Sequence, residues 1–596
     1  MHFCWHVIVS RNTVIVLTTV VVYVIIVSMY IATIPNRGSP PAILLREGYR
    51  EGGKVKSRTL ANLSKLPPEA VAVLRQVLKG DKLIKAGDAF EVIASPHHGH
   101  VQAVWVAMQR LGFANLIASR PSRQRDLVVA MVVARILEPD SKLATTRWWH
   151  TTTLPAMLNV ADADEDDLYA AMDWLLKSQD RIEKKLAARH LQNDGLALYD
   201  LSSSYFEGVT CPLAAFGHNR DGKKGKLQVN YGLLTDRHGI PVSVSVFKGN
   251  TGDPKTLLPQ VDKVRRDFGI EEFVLVGDRG MITQKQIDAL REIDGIDWIA
   301  ALRPEAIKKL VTSGAIQMGL FDERNLFGLI HPDFPGERLV ACRNPELAKR
   351  RSQKRKSLLE ATVKELEKVR RMVQRGRLHG KDDIGVRVGK VVNKYKVGKH
   401  FTLDIHDDRF GFAIDQEKVA AEASLDGIYV VRTSLSEQRI NDEDTVRSYK
   451  LLSQVERGFR SFKTIDLKVR PIRHRLEDRV RAHIFLCMLA YYVQWHMLEA
   501  WRPLLFCDEA QGAKTTRDPV APAKRSEEAL RKVHSKTLDD GSEAHSFQTL
   551  LKVLSSIVRN VCRVPAEGPD APTFDVLTTP NAKQQQALDL LGTIEV

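Results

Sequence analysis

Cysteine is scarce in this chain, with six among 596 residues. They stand at Cys4, Cys211, Cys342, Cys487, Cys507 and Cys562, with no Cys-x-x-Cys pair and no local Cys/His cluster. A zinc site and a disulfide framework are both disfavoured. No Gly-rich loop runs into Lys and Ser or Thr, which argues against an ATP-driven machine, and no internal repeat of about 20 to 50 residues is present. Long uncharged runs are equally few. Ile484 to Val493 is too short to span a membrane and reads as core. Only residues 12–34, NTVIVLTTVVVYVIIVSMYIATI, reach the length of about 20 residues that a spanning helix needs. That run is dense in Val, Ile and Thr. From Met29 onward the sequence YIATIPNRGSPPAILLREGYREGGKVKSRTL alternates and turns as β-hairpins do, so an anchor and a β-rich start compete for the same residues.

What is abundant is positive charge. The formal net charge is +16 and the isoelectric point is near 9.4. Such a surface gains affinity for a polyanion by releasing condensed counterions, so nucleic acid or an anionic membrane fits. At roughly 150 residues per domain, the length suggests three or four units. Residues 67–80 and 99–137 read as helices, and 162–191, with acids at its start and bases at its end, as another. Short basic helices occur in many folds, so specific DNA binding by this region stays open.

The next segment is more specific. Residues 195–208, GLALYDLSSSYFEG, hold an apolar strand ending at Asp200. KLQVNYGLLTDRHGIPVSVSVFKGN supplies two strands joined at the turn Asp236 to Gly239. A helix follows, then the strand EEFVLVGDRGM that delivers Asp278, a second helix, and the strand DWIAALR. The order βββαβαβ resembles the ribonuclease H fold, in which the first and fourth strands are neighbours. That fold would set Asp200 beside Asp278. After Arg303 the chain takes well over a hundred residues to reach Glu456, too many for an irregular loop. A folded insertion is required, holding the basic helix 346–376, which is either a solvated face or a DNA-tracking one.

In YKLLSQVERGFRSFK, residues 449–463, the single carboxylate Glu456 sits among cationic side chains. Residues seven apart lie two helical turns apart on one face, so Tyr449, Glu456 and Lys463 form a stripe. Leu451, Leu452, Val455, Phe459 and Phe462 mark a buried side next to it. Taken alone, this also describes a surface helix with scattered charge pairs. Asp200, Asp278 and Glu456 together, however, make an all-carboxylate set suited to magnesium or manganese. Two such ions about 3.5 to 4 Å apart can activate a nucleophile on one side of a phosphodiester and stabilise the leaving oxygen on the other.

YDLSSSYFEG, VLVGDRGM and YKLLSQVERGFRSFK resemble the three acidic motifs of DDE transposases of bacterial insertion sequences, in the branch with a Tyr-Arg-Glu-Lys helix. Tyr449, Glu456 and Lys463 keep that branch's spacing, whereas its arginine position is Leu452. Arg460 is near the same face and can reach the same phosphate. The resemblance covers most of residues 29–505. It implies an α/β fold with an RNase H-like catalytic core, interrupted by a large mixed, β-containing insertion, mostly β in this branch. It implies Asp200, Asp278 and Glu456 as catalytic and metal-binding residues holding two Mg2+ (or Mn2+) ions. Tyr449, Arg460 and Lys463 are the DNA-binding residues expected on this basis. The partners implied are the element's terminal inverted repeats, target DNA and a second copy in a homodimeric synapse, in the bacterial cytoplasm at the nucleoid and not in a membrane. Trp298 or Phe321 stacks on a flipped base or is core, and His474 and His483 touch DNA or are packed.

The expected organisation is a hydrophobic extension at 1–28, an N-terminal region at 29–191, the first part of the core at 192–303, the insertion at 304–443, the second part of the core at 444–507, and a linker with a helical tail at 508–596. Synthesis is expected to start at Met29, with residues 1–28 an upstream extension of the reading frame. A catalytically silent DNA-binding protein of the same fold would lack one of the three carboxylates, and all three are present. A membrane-anchored protein rests on residues 12–34 alone.

Overall fold

The computed structural model describes all residues except 1–7, 11–12, 19–20, 26–27, 82–88, 509–511, 513–515, 523, 565–569 and 596. The chain divides into two compact units, residues 1–94 with 560–576, and residues 95–559 with 577–596.

In the first unit, strands Ser28–Ile34, Ala42–Glu51 and Lys54–Asn62 pair antiparallel in sequence order, the hairpin structure that the alternation after Met29 predicts. Helix Pro68–Leu78 follows. A second sheet joins Glu91–Ala94 to Arg559–Arg563 and Thr573–Leu577. Strands therefore occupy part of the segment read from sequence as linker and helical tail. Within residues 12–34 the described elements are also strands, Thr13–Thr18, Val21–Ile25 and Ser28–Ile34. No helix among the described residues is long and apolar enough to cross a membrane. The start-site expectation at 1–28 falls partly on residues outside those described.

The second unit is organised by one eight-stranded sheet. Its strands in chain order are β1 Gly195–Tyr205, β2 Gln228–Thr235, β3 Pro241–Lys248, β4 Phe273–Gly277, β5 Ile296–Ala301, β6 Leu326–Leu329, β7 Arg338–Arg343 and β8 Ile428–Thr433. The spatial order is β3-β2-β1-β4-β5-β8-β7-β6. The first five have the ribonuclease H arrangement: β1, β2 and β3 form an antiparallel meander, and β4 lies parallel to both β1 and β5. Helices on the faces bury β2 and β4 along their whole length, as sheets with parallel central strands require. Gly232 on β2 faces the buried ring of Tyr199 on β1, where any Cβ would collide with the phenol.

The insertion adds β6, β7 and β8 to this sheet, β8 running antiparallel to β5. Between β7 and β8 in the sequence it carries a separate core made by helices Pro345–Gln374 and Lys381–Tyr395 and the hairpin Phe401–Ile405/Phe410–Ile414. Its longest elements are helices, so the mostly β insertion implied by the resemblance is corrected to a mixed one. The apolar run Ile484–Val493 lies in helix Glu477–Ala500, buried along this run and packed against helices Arg123–Leu137 and Glu165–Lys177 and strand β3. The described residues near the C-terminus are packed on this unit. Trp501 Nε1 donates to the Ala587 carbonyl at 2.8 Å, and helices Phe547–Leu554 and Ala582–Gly592 pack on helix Gly99–Arg110. The one-dimensional pattern of this tail is polar because only one narrow face of each short helix is buried.

Candidate active site

The register of the two central strands fixes the first pair of carboxylates. Tyr199 of β1 is level with Gly277 of β4 in a parallel ladder, so the next residues, Asp200 and Asp278, stand side by side at the same height. Strand β1 does not end at Asp200 as the sequence suggests. It continues to Tyr205, paired with β2, because Ser202, Ser203 and Ser204 are buried and serve as strand residues. Asp200 accepts a hydrogen bond from the Leu201 amide at 2.8 Å. Burial, and then the charges of Asp278 and Glu456, push its carboxyl up to about 7, with Arg220 acting in the opposite sense.

The expected single stripe is divided. Helix α1, Asp442–Lys450, ends before Leu451, helix α2 spans Leu452–Arg460, and a wider π turn follows over Ser461–Ile465. Tyr449 closes α1 and its hydroxyl donates to Asp278 Oδ1 at 3.5 Å. Its phenol is pushed up by burial and by the Asp278 charge. Glu456 and Arg460 are exposed on α2. Leu452 is buried in the main core, which excludes that position from any phosphate contact. Lys463, in the π turn, is directed elsewhere: its Nζ donates to Asp221 Oδ1 at 3.0 Å. Arg470 pairs with the same oxygen.

Asp200, Asp278, Tyr449 and Glu456 thus act on one another electrostatically, while Lys463 is tied to Asp221. Sequence reading missed Asp221. Its only local signal is an acid inside the basic loop NRDGKKGK, and its partners are far along the chain. Trp298 and Phe321 are both buried. The Trp298 indole donates to Glu337 Oε2 at 3.4 Å, and Phe321 packs on Phe327 at 5.0 Å between ring centroids, so both are core. His483 is buried, and the ring of half-buried His474 packs against it at 4.9 Å. A cavity of about 310 Å³ opens beside Asp278 and is lined by Arg279, Leu302, Ile307, Arg351, Tyr429 and Tyr449.

Among the described residues, no three His, Cys, Asp or Glu side chains stand close enough together to hold an ion as placed. The chemistry of the donor set nonetheless suits a hard divalent cation. The charges of Asp278 and Glu456 both reach Asp200, and their repulsion, which adds to burial in raising its pKa, is relieved when a cation enters.

The raised Asp200 pKa has a measurable consequence. From the ordinary carboxylate value of 3.8 up to about 7, the folded protein keeps a proton that the unfolded chain has released, so this group lowers stability as pH rises through that window. Without divalent metal, Asp200→Asn is therefore expected to melt above wild type at pH 8, with a smaller difference at pH 5. Adding magnesium at pH 8 should raise the melting temperature of the wild type more than that of the variant. Scanning fluorimetry at the two pH values checks both; a wild type and variant that differ equally at pH 5 and pH 8 would exclude this titration.

Comparison with known proteins gives two family matches. The transposase DDE domain family matches residues 208–493, a span that includes Asp278 and Glu456 and begins just after Asp200. The N-terminal domain of IS1634 family transposases matches residues 31–89. No curated protein matches. Among solved structures, a piggyBac transposase synaptic complex with hairpin DNA, determined by cryo-EM, is similar at 10% identity and a TM-score of 0.32, with 83% of each chain covered.

Proposed function

Since the chain belongs to the DDE transposases of insertion sequences, we propose that Asp200, Asp278 and Glu456 form the catalytic carboxylate set with which it cuts its own element's ends and joins them to target DNA. The observation that carries this reading is the parallel register of β1 and β4, which sets Asp200 and Asp278 side by side, together with the Glu456 charge acting on Asp200. Divalent metals are a general requirement of this family, and a pair of magnesium or manganese ions would supply nucleophile activation and charge neutralisation at the scissile phosphate.

The protein's own groups have separable roles. The Tyr449 hydroxyl donates to Asp278 and so fixes the orientation of that carboxylate. Glu456, exposed on α2, acts on Asp200 through its charge and would complete the metal-holding set. Arg460, one turn further on, holds a phosphate of the DNA beside the cut through charge-assisted hydrogen bonds. The partners are the element's inverted terminal repeats and target DNA, with two copies of the chain in the synapse, working on the nucleoid.

The direct test incubates purified protein with a labelled element end and magnesium; the expected result is strand cleavage that exposes a 3′ hydroxyl. Absence of metal-dependent cleavage on the element's own ends would contradict the assignment. Within this site, Arg460→Ala should reduce cleavage roughly 10- to 100-fold, the value of about one charge-assisted phosphate contact. Arg457→Ala, about 100° away from Glu456 around the helix, should have a much smaller effect. Equal losses would show that Arg460 does not replace the arginine missing at Leu452.

A further inference from the structure

Asp221 is the best-paired carboxylate near the site, and the roles given above leave it without a task. It lies in the loop between β1 and β2, and its side chain is only 3% exposed. Its Oδ2 accepts from the Tyr205 amide at 2.9 Å, which anchors it to the end of the strand that carries Asp200. Its Oδ1 takes two cations at once, Lys463 from the π turn after the Glu456 helix and Arg470 from the segment beyond. Lys463 and Arg470 are both mostly covered, at 12% and 19% side-chain exposure. A buried carboxylate that loses its only cation is strongly destabilised, but one with two cations on a single oxygen can release one and stay paired. Arg470 has the planar fork suited to staying behind; Lys463 is a single charge on a flexible stem suited to leaving.

We infer that Asp221 is a positioning residue that stores Lys463 in the DNA-free protein and gives it up to a DNA backbone phosphate, Arg470 remaining as the partner that makes the exchange possible. The inference rests on the reading of Lys463 as a phosphate ligand and extends it: Lys463 has two alternative partners, and Asp221 couples the Asp200 strand to the Glu456 helix until DNA arrives. Burial lowers the Lys463 ammonium's pKa and the Asp221 charge works against that.

The test uses the full chain, a random-sequence DNA duplex and the salt dependence of binding, so that it does not depend on cleavage. Each phosphate neutralised contributes about 0.9 to the slope of log affinity against log salt. Lys463→Met should lower that slope by about 0.9. Asp221→Asn should tighten duplex binding, because Lys463 no longer has to be released, while the cleavage rate on element ends falls, because the helix has lost its anchor to the Asp200 strand. Asp221→Glu should recover cleavage in part. Arg470→Gln should weaken binding in the wild type, where Asp221 then retains Lys463, but change affinity less than twofold in the Asp221→Asn background, where Lys463 is already free. That non-additivity distinguishes an exchange from a purely structural pairing. Additive effects of Asp221→Asn and Arg470→Gln overturn the inference, as does an unchanged salt slope in Lys463→Met. If Asp221→Asn does not fold, the double variant Lys463→Met with Arg470→Gln decides: an exchange leaves its slope equal to that of Lys463→Met alone, and a further loss of about 0.9 identifies two independent DNA contacts and no exchange. A wild type that binds the duplex with these slopes but cuts no element end contradicts the catalytic reading alone.

Discussion

Asp200→Asn, Asp278→Asn and Glu456→Gln are each expected to lower strand cleavage by at least about a hundred- to a thousandfold, the range for removing one preorganised charge-stabilising group from a reacting centre, while binding of the element ends persists. The substitutions are nearly isosteric, so the sheet and helix that carry them keep their packing. What disappears is the negative charge that a hard cation requires. Asp278→Asn adds a second loss, because the Tyr449 hydroxyl then faces an amide in which only one of the two terminal atoms accepts a hydrogen bond. Cleavage assays with magnesium and with manganese, run beside gel-shift measurements on the same DNA, separate chemistry from binding. Robust cleavage by any one variant removes that residue from the catalytic set, and equal loss of binding and cleavage shows that the residue maintains the fold instead.

The second large effect concerns stability at the junction of core and insertion. Glu337→Ala should destabilise the protein by about 3 to 5 kcal/mol, the loss expected when a buried ion pair is broken from one side. The Glu337 side chain is fully buried. It accepts from Arg432 Nε at 2.6 Å and Nη2 at 2.5 Å, from Arg291 Nη2 at 3.0 Å, and from the Trp298 indole. These donors belong to β8, to the end of helix Gln284–Arg291, and to β5, so one carboxylate joins the insertion's strands to the catalytic sheet. Its removal leaves the Arg432 guanidinium buried without its counter-charge, and an arginine does not shed its proton to escape. Urea unfolding followed by circular dichroism measures the loss. The double substitution Glu337→Met with Arg432→Met should recover most of it, since both charges then leave the interior together. A double variant as unstable as Glu337→Ala would assign the effect to lost packing and not to the stranded charge.

The sequence by itself determined the order βββαβαβ, the location of the two aspartates on central strands, and the presence of Glu456 on a helix with one buried side. Alternation at a period of two and apolar recurrence at three- and four-residue steps are local signals. They report which face of an element is buried, and burial is what selects strand or helix. The meander after Met29 and the buried helix of Ile484–Val493 were legible for the same reason. The break at Leu451 was not. Leu451 and Leu452 continue the apolar face without a glycine or proline to interrupt it, and the division into α1, α2 and a π turn depends on what the helix packs against. The strands of 559–577 were hidden because they pair with Glu91–Ala94 at the far end of the chain. Nor was the partner of Lys463 legible. Spacing along a helix says which residues share its face, but Asp221 lies 242 positions away, and an ion pair across that separation is decided only when the sheet brings the β1–β2 loop to the end of the Glu456 helix.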